Sequence, residues 1–446
     1  MKRCVIHIGM HKTGSTSIQK SFCNQLNNSA WKYAGMGHSN HSYLLAKILG
    51  NDLPGGDAAI GLGITSRDEI IERLVKDLNQ AGENYLLSGE WMSSRVEVER
   101  LMELRDLLLR HVSHITVVGY VRPPKSYMES SFQERLKMAS LKLDFEDLRP
   151  KYRPRLEHFD AVFGKENVMF WKFDPATFKN HCVVQDFCER LGIEFPEKKI
   201  KRRNESLSRE ATAFLYTYRT YASGQDTGRI FSENDNVILV NHLAQLKGGK
   251  LRFAPDIVRP VLDANRADIE WMEKRIGTSL EEPDTDSEDA VRSEADLLRY
   301  KPEDLMWLAK QLGSEYVDHC RPQMSPEEVA DWMLALQVKL LDDNAKAIAN
   351  VEAANVKTNP GNETLGLKEL VRRAKKTTPE LETLSDTQAI ALLSSAFKQI
   401  NQKTEKINDG KLRVPGLGVF QVNPINHEKD GQKITLRRII FRALGI

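Results

Sequence analysis

The chain has 446 residues, of which 41% are hydrophobic, and its formal net charge is +2 at pH 7. This length predicts two or three folded units with a sizeable core. So small a net charge argues against nucleic acid as a partner of the whole protein. The five cysteines leave an odd one and contain no C-x-x-C pair, which is typical of reduced core thiols in the cytoplasm. No apolar run approaches the length of a membrane span.

An apolar strand at residues 3–8 leads into an amphipathic helix at 16–27, and the loop between them contains glycines, hydroxyls and one lysine. Ser15 or Thr16 can cap this helix. Backbone N–H groups in such a loop converge on an anion, the helix N-terminus adds its positive dipole, and Lys12 adds a full charge. The segment therefore predicts a phosphate cradle. An ordinary strand-to-helix turn with a surface lysine is the alternative.

The order of residues in this loop distinguishes two chemistries. A Walker A loop places its lysine after the last glycine and follows it with a magnesium-binding hydroxyl. Here Lys12 precedes Gly14, so that pattern is not met. The loop instead resembles the 5′-phosphosulfate loop of sulfotransferases that use 3′-phosphoadenosine 5′-phosphosulfate (PAPS), through the residues Lys12-Thr13-Gly14-Ser15-Thr16. The resemblance implies that these residues bind the 5′-phosphosulfate of PAPS.

A short buried strand at residues 84–88 ends in a turn that carries Glu90. The carboxyl ends of parallel strands open onto one crevice, so Glu90 should face the same space as Lys12. The segment is similar to the strand of the same sulfotransferases that ends in the acceptor-activating glutamate. The resemblance implies that Glu90 is the general base. The alternative is a glutamate that caps the helix at 93–111.

A β-branched strand at residues 114–121 ends at Arg122, and a helix follows. An arginine and a hydroxyl can bind one phosphate together, because the guanidinium supplies paired donors. Arg122 and Ser130 resemble the pair that binds the 3′-phosphate in the same sulfotransferases, in the same order and with the same spacing. The alternative is an arginine that caps a helix or pairs with Glu129 or Glu134.

Strands alternate with helices in this part of the chain, which predicts right-handed βαβ units. The expected fold is α/β, with a three-layer, P-loop-like parallel sheet that carries helices on both faces. The predicted strands are 3–8, 84–88, 114–121 and 167–173, and the predicted helices are 16–27, 95–110, 125–138 and 175–191.

Looser resemblances to the sulfotransferase family occur at residues 159–174, 202–208 and 265–271. A basic loop with a helix cap at Ser206 or Ser208 explains the second of these segments equally well. Contact of Arg203, Asn204 and Ser206 with the cofactor therefore stays open. Together with the two stronger motifs, these segments define a predicted sulfotransferase domain at residues 1–280.

Charge and composition predict the organisation of the remaining chain. Residues 281–300 are interpreted as an acidic linker, because 281–296 holds eight acidic residues against one arginine. A helical region at 301–352 precedes a second, polar linker at 353–380. Residues 381–446 form a small basic α+β module, whose helix and glycine-rich strand loosely resemble the bacterial histone-like HU family. An interaction or dimerisation module with a basic face is the alternative.

These features predict an enzyme that transfers a sulfuryl group from PAPS to an acceptor hydroxyl, such as that of a carbohydrate, glycan or glycolipid. The resemblance gives Glu90 and Lys12 the catalytic roles, with PAPS as co-substrate and no metal. We expect a bacterial cytoplasmic enzyme, because the first residues belong to the site and would not be removed as a signal peptide. The alternatives are a nucleotide-dependent phosphotransferase and a non-catalytic protein that binds nucleotides or polyanions. Self-association through the C-terminal module is a further prediction.

Overall fold

The computed structural model describes residues 2–51, 66–93, 96–138, 143–201, 206–222, 233–283 and 287–357, and in the C-terminal part mainly 410–414, 418–429 and 432–443. Two compact units follow one another along the chain, Met1–Asn344 and Ala345–Ile446. None of the described helices is long and apolar enough to cross a membrane.

The first unit is built on a five-stranded parallel sheet flanked by helices, which confirms the predicted α/β class. Its strands are β1 (Arg3–His7), β2 (Trp31–Tyr33), β3 (Asn84–Ser88), β4 (His114–Val121) and β5 (Val168–Lys172). Their order in the sheet is β2-β3-β1-β4-β5. The strands are largely apolar because helices cover both faces of the sheet. Only β2 escaped prediction, since three residues are too few to give a periodic signal.

The register of the sheet brings the carboxyl ends of β1, β3 and β4 together. His7 lies opposite Ser88 of β3 and Val118 of β4. Backbone hydrogen bonds continue this pairing beyond β1, from Ile8 N to Val118 O (2.9 Å) and from Gly89 N to His7 O (3.0 Å). The loops that follow these three strands therefore open onto one crevice at the edge of the sheet.

Helices connect these strands and continue beyond the last of them. In chain order, the α-helices of the described residues are α1 (Ser15–Phe22), α2 (Ser42–Ile48), α3 (Arg67–Asn79), α4 (Val98–Leu109), α5 (Pro124–Lys137), α6 (Phe145–Leu148), α7 (Tyr152–Phe163), α8 (Val183–Leu191), α9 (Arg209–Tyr221), α10 (Glu233–Leu243), α11 (Pro255–Ala264), α12 (Arg266–Ile276), α13 (Pro302–Leu312), α14 (Ser314–His319) and α15 (Pro326–Lys357).

Two predicted helices near the site are shorter than expected. α1 ends at Phe22 instead of residue 27, because Cys23 has a non-helical ψ of 120° and Asn24 has a positive φ of 60°. α8 begins at Val183 instead of residue 175, and Asn180, in the segment before it, also has a positive φ. Residues in this left-handed conformation cannot continue an α-helix.

Three apolar cores hold the first unit together. On one face of the sheet, Ile6 and Tyr85 pack with residues of α2, α3, α4, α7 and α12. On the other face, Val5 and Leu86 pack with residues of α1 and α8. A third core joins α5 to α9, α10, α13 and α15. The sheet is therefore the middle of three layers, and a helical region extends it on the side of α5.

The structure differs from the acidic linker predicted at residues 281–300. Val291 and Leu297 are fully buried in the third core. Glu282 Oε2 accepts a hydrogen bond from Ser126 N in the first turn of α5 (2.9 Å). An acidic residue of this segment thus accepts a hydrogen bond from an N–H group at a helix N-terminus, where negative charge is favourable. The first unit accordingly runs to residue 344 instead of ending at 280.

The second unit contains an antiparallel three-stranded sheet with the order β6-β7-β8. Its strands are β6 (Gly410–Val414), β7 (Gly418–Lys429) and β8 (Gln432–Ala443). β7 and β8 pair along their whole length, from Gly418 opposite Ala443 to Lys429 opposite Gln432. Most of the predicted linker at 353–380 lies outside the described residues, and the resemblance to the HU family stays a prediction.

Candidate active site

The loop after β1 turns sharply into α1 at Lys12 and Gly14. Both residues have a positive φ, of 68° and 78°. A Cβ on Gly14 would lie 2.7 Å from Val183 Cγ1, so close packing and backbone conformation both require glycine there. Gly14 is also the N-cap of α1. Ser15 and Thr16 are therefore the first helical residues and not the predicted cap. Ser17 N donates to Gly14 O (3.0 Å), whereas the N–H groups of the first two helical residues precede the intrahelical hydrogen bonds and can bind a ligand.

Ser15 adds a buried hydroxyl to this helix N-terminus. Its Oγ has no hydrogen-bond partner among the described residues. A Cβ on Gly9 would lie 2.5 Å from that oxygen, so glycine keeps the space beside the hydroxyl open. Buried hydroxyls are normally hydrogen-bonded. An anion at the N-terminus of α1 could accept a hydrogen bond from Ser15, which fits a phosphate-binding loop.

Lys12 forms an ion pair with Glu134 of α5. Lys137 Nζ lies 3.8 Å from the same carboxylate oxygen. Burial acts to raise the pKa of the Glu134 carboxyl, but the positive charges of Lys12 and Lys137 hold it below its usual value. The loop lysine therefore already holds one anionic oxygen, in the position that a phosphate oxygen of a ligand would compete for.

Arg122 joins the end of β4 to this loop. Its Nη1 donates to Lys12 O (2.7 Å), and its Nε donates to Ser126 Oγ (3.3 Å). Burial lowers the pKa of the guanidinium, and the carboxylates of Glu282 and Glu129 partly offset that shift. An arginine nevertheless stays charged in proteins. A fixed cation thus lies against the backbone of the phosphate-loop candidate.

Arg122 does not form an ion pair with Glu129 or Glu134, which was the alternative explanation of this residue. Glu129 pairs with Arg252 (2.8 Å). Glu134 pairs with Lys12. Arg122 bonds instead to a backbone carbonyl and a hydroxyl, so no carboxylate of these two neutralises it directly.

Ser130 lies further along α5. Its side chain is 9% exposed, and no hydrogen bond joins its hydroxyl to another described residue. Ser130 and Glu134 are four residues apart and therefore share one face of the helix. This places the Ser130 hydroxyl on the face that carries the partner of Lys12.

Glu90 follows β3 and starts a short 3₁₀ turn, Glu90–Ser93. Its Oε1 accepts a hydrogen bond from Asn40 Nδ2 (3.5 Å), and its Oε2 lies 4.0 Å from His11 Nδ1. The next helix, α4, has Glu97 as its N-cap. Glu90 is therefore not the cap of that helix, and its carboxylate faces the loop that carries His11.

His11 stays neutral beside this carboxylate. Burial lowers the pKa of the imidazole, and the charges of Arg155 and Lys12 lower it further, whereas Glu134 acts in the opposite direction. The usual histidine pKa is already below 7. At neutral pH, His11 does not neutralise the Glu90 carboxylate.

One cavity of about 1830 Å³ connects these groups. Among the predicted site residues, it is lined by Lys12, Gly14, Ser15, Thr16, Glu90, Arg122 and Ser130. Thr13 is the exception, because it is fully buried and its Oγ1 donates to Met10 O (2.6 Å). The Thr13 hydroxyl therefore stabilises the turn and does not reach the cavity.

Sequence reasoning missed other residues of the same wall. Glu134 was considered only as a partner of Arg122, although Ser130, Glu134 and Lys137 follow the helical spacing of one face. Arg155 also lines the cavity and gave no signal in the sequence.

Two serines of the segment at 202–208 have different positions. Ser206 lines the cavity. Ser208 is the N-cap of α9 and accepts a hydrogen bond from Ala211 N (3.0 Å), as the capping alternative predicted. Arg203 and Asn204 lie outside the described residues.

The chain resembles two solved structures at low identity. The crystal structure of a sulfotransferase from Alicyclobacillus acidocaldarius is 13% identical and has a TM-score of 0.31, over 52% of this chain and 98% of that one. The sulfotransferase domain from the curacin biosynthetic pathway is 15% identical and has a TM-score of 0.28, over 46% of this chain and 79% of that one. No protein-family model and no curated protein matches the chain. Both TM-scores are low, so the chemistry proposed below rests on the residues of this chain.

Proposed function

We propose that this chain transfers a sulfuryl group from PAPS to an acceptor hydroxyl in the cavity at the sheet edge. The observation that carries the proposal is the hydrogen bond from Arg122 Nη1 to Lys12 O (2.7 Å). It holds two separate anion-binding groups side by side. A nucleotide with phosphates on both its 5′ and 3′ oxygens needs two such groups, whereas the phosphate chain of ATP needs a continuous run of donors.

The residues present fit such a nucleotide. Lys12, the N–H groups at the start of α1 and the Ser15 hydroxyl, which has no hydrogen-bond partner in the described parts of the chain, would hold the 5′-phosphosulfate. Arg122 and the Ser130 hydroxyl would hold the 3′-phosphate. Glu134 already pairs with Lys12, so nucleotide binding would exchange a protein carboxylate for a phosphate at that lysine.

The chemistry then follows from Glu90 and Lys12. PAPS, when bound, supplies the sulfuryl group, and its 5′-phosphate is the leaving group. Glu90 accepts the proton of the acceptor hydroxyl while the new oxygen–sulfur bond forms. Lys12 stabilises the negative charge that develops on the phosphate as the old sulfur–oxygen bond breaks. The acceptor class remains the proposed carbohydrate, glycan or glycolipid, and the bacterial cytoplasmic location remains a proposal too.

Glu90→Gln tests this mechanism, because it keeps the size of the side chain and removes the proton acceptor. Single-turnover transfer from labelled PAPS to a panel of hydroxyl acceptors should fall by roughly two to four orders of magnitude, the usual contribution of general-base catalysis. Binding of adenosine 3′,5′-bisphosphate and the melting temperature should stay close to those of the parent. Glu97→Gln is the matched control, since it makes the same charge change at an exposed helix cap.

Other outcomes would point elsewhere. Near-parental transfer by a stable Glu90→Gln protein would remove Glu90 from the mechanism. Tight bisphosphate binding by the parent without transfer to any acceptor would favour the non-catalytic binding protein. A preference for magnesium-ATP would favour the phosphotransferase.

A further inference from the structure

Arg155 is a cation of the cavity wall, and its hydrogen-bond partner there is a tyrosine hydroxyl. Its Nη1 donates to Tyr127 Oη (2.8 Å). Within the part of the chain that the structure describes, no carboxylate lies at ion-pair distance from its guanidinium. The side chain is half-buried, and both Arg155 and Tyr127 line the cavity.

Four other cations of the same wall are paired with carboxylates. Arg135 binds Asp147 (2.6 Å), and Arg149 binds Glu146. Lys12 and Lys137 share the carboxylate of Glu134. Among the described residues, Arg155 has a hydroxyl as its partner and no carboxylate at ion-pair distance, unlike these four side chains.

Fold stability does not explain why a positively charged side chain occupies position 155. It is the fourth residue of α7, and a positive charge in the first turn of a helix opposes the helix dipole. A charge in a partly desolvated wall also costs free energy when no opposite charge compensates it. A negatively charged group of a ligand would remove this cost.

The position of Arg155 points to the acceptor and not to the nucleotide. Its charge is felt by His11, whose pKa it lowers. His11 lies 4.0 Å from Glu90, the proposed base. The two phosphates of the nucleotide are assigned to Lys12 and Arg122, which leaves Arg155 for the molecule whose hydroxyl meets Glu90.

We propose that the acceptor is a hydroxyl compound that also carries a carboxylate, and that Arg155 binds this carboxylate. The bond from Nη1 to Tyr127 orients the guanidinium and leaves Nε and Nη2, which match the two oxygens of a carboxylate. Arg155 is thus a specificity-determining residue. The inference rests on the proposed function, because it assumes that the acceptor hydroxyl faces Glu90.

The test measures acceptor binding separately from transfer. Calorimetry is done with the full chain saturated with adenosine 3′,5′-bisphosphate, so no sulfuryl group is present. Two probe pairs differ by one negative charge: p-nitrophenyl glucuronide against p-nitrophenyl glucoside, and 4-hydroxyphenylacetate against its methyl ester. The parent should bind the carboxylate members at least about tenfold more tightly, as expected for a charge-assisted hydrogen-bond pair.

Three variants make the result specific. Arg155→Gln should lose this preference, and Arg155→Lys should keep part of it because the charge remains. Arg149→Gln is the control, since it removes the same charge from a cavity-lining arginine that is already paired with Glu146. Melting temperatures verify that all three variants fold.

The inference is overturned if the parent does not bind the carboxylate members of the probe pairs, or if it binds them no more tightly than the uncharged members. It is also overturned if Arg155→Gln and Arg155→Lys keep the full preference, or if Arg149→Gln loses it equally. The proposed function fails differently, when the parent does not bind the bisphosphate or transfers no sulfuryl group to any acceptor. Intact nucleotide binding and transfer without a charge preference would refute only the inference about Arg155.

Discussion

At the scale of single residues, the ion pair between Lys12 and Glu134 lies in the proposed anion site. Lys12 is held in a left-handed backbone conformation, and its ammonium already binds a carboxylate oxygen. Because the pKa of Glu134 lies below its usual value, the carboxylate is ionised at neutral pH. Under the proposed function, a nucleotide phosphate therefore competes with Glu134 for Lys12.

Glu134→Gln should tighten the binding of adenosine 3′,5′-bisphosphate by several-fold, up to about tenfold, since it removes a competing charge whose pairing is of ordinary strength. Calorimetric titration measures this change. Asp147→Asn is the matched control, because it removes one negative charge from the same cavity wall without touching Lys12.

The double variant Lys12→Ala, Glu134→Gln tests whether Glu134 affects nucleotide binding through Lys12. If Glu134 acts through Lys12, its substitution should have no effect once the lysine is gone. Weaker nucleotide binding by Glu134→Gln alone would show that Glu134 supports the ligand and does not compete with it.

The individual site residues differ in how far the sequence could reveal them. Lys12, Glu90 and Arg122 follow strand ends, so local pattern predicted that they share one space. The resemblance to the sulfotransferase family added Ser130, and all four residues line one cavity. Arg155 belongs to a helix whose position depends on long-range packing, which no local pattern encodes. The Thr13 hydroxyl was misassigned for a related reason, because only the three-dimensional turn shows that it points to Met10 O.

At the scale of elements, two buried histidines lie where β1 and β3 end. His7 Nδ1 lies 2.8 Å from Ser88 Oγ, and His41 Nδ1 accepts a hydrogen bond from Ser88 N (3.1 Å). Burial lowers the pKa of each to about 4. Both histidines therefore stay neutral in the folded protein over a pH range in which they are protonated in the unfolded chain.

The free energy of unfolding should consequently fall as the pH decreases from about 7 to about 4, because the unfolded chain binds more protons in this range. Each histidine should contribute on the order of 3 kcal/mol to the fall. Urea denaturation at several pH values measures it. His41→Asn, whose amide oxygen can still accept from Ser88 N, should give a shallower dependence.

His114→Asn is the control, since His114 is exposed at the start of β4. An unchanged pH dependence in the His41 variant would contradict the assigned role of the buried imidazole.

Elements of regular structure were predictable where the apolar pattern was long. β1, β3, β4 and β5 all occur close to their predicted bounds. β2 has three residues and carries no detectable period. The acidic composition of the segment after residue 280 indicates a linker. In the structure, its few apolar residues pack in the third core. Its Glu282 also accepts a hydrogen bond from the first turn of α5.

At the scale of the whole molecule, the described residues that line the cavity lie in the first unit. Its lining residue furthest along the chain is Gln337, before the boundary at residue 344. A chain that ends after Lys357 keeps α15 complete and should bind adenosine 3′,5′-bisphosphate as tightly as the full chain. Calorimetry and light scattering on both chains measure affinity and mass.

A full chain with a mass that is a multiple of its 50.7 kDa monomer, beside a truncated chain with the mass of its own monomer, would support the proposed self-association through the second unit. A folded truncated chain that cannot bind the nucleotide would contradict the assignment of the cavity to the first unit alone.

The central claim is that one cavity binds the 5′-phosphate and the 3′-phosphate of a single nucleotide through different residues. The most direct measurement is the calorimetric titration of the full parent chain and of Arg122→Ala with adenosine 3′,5′-bisphosphate and adenosine 5′-phosphate. We predict that Arg122→Ala weakens bisphosphate binding by about 1.5–3 kcal/mol, the range for hydrogen bonds to charged groups, and hardly changes the binding of the monophosphate. Equal losses for both ligands, or no preference of the parent for the bisphosphate, would contradict the account.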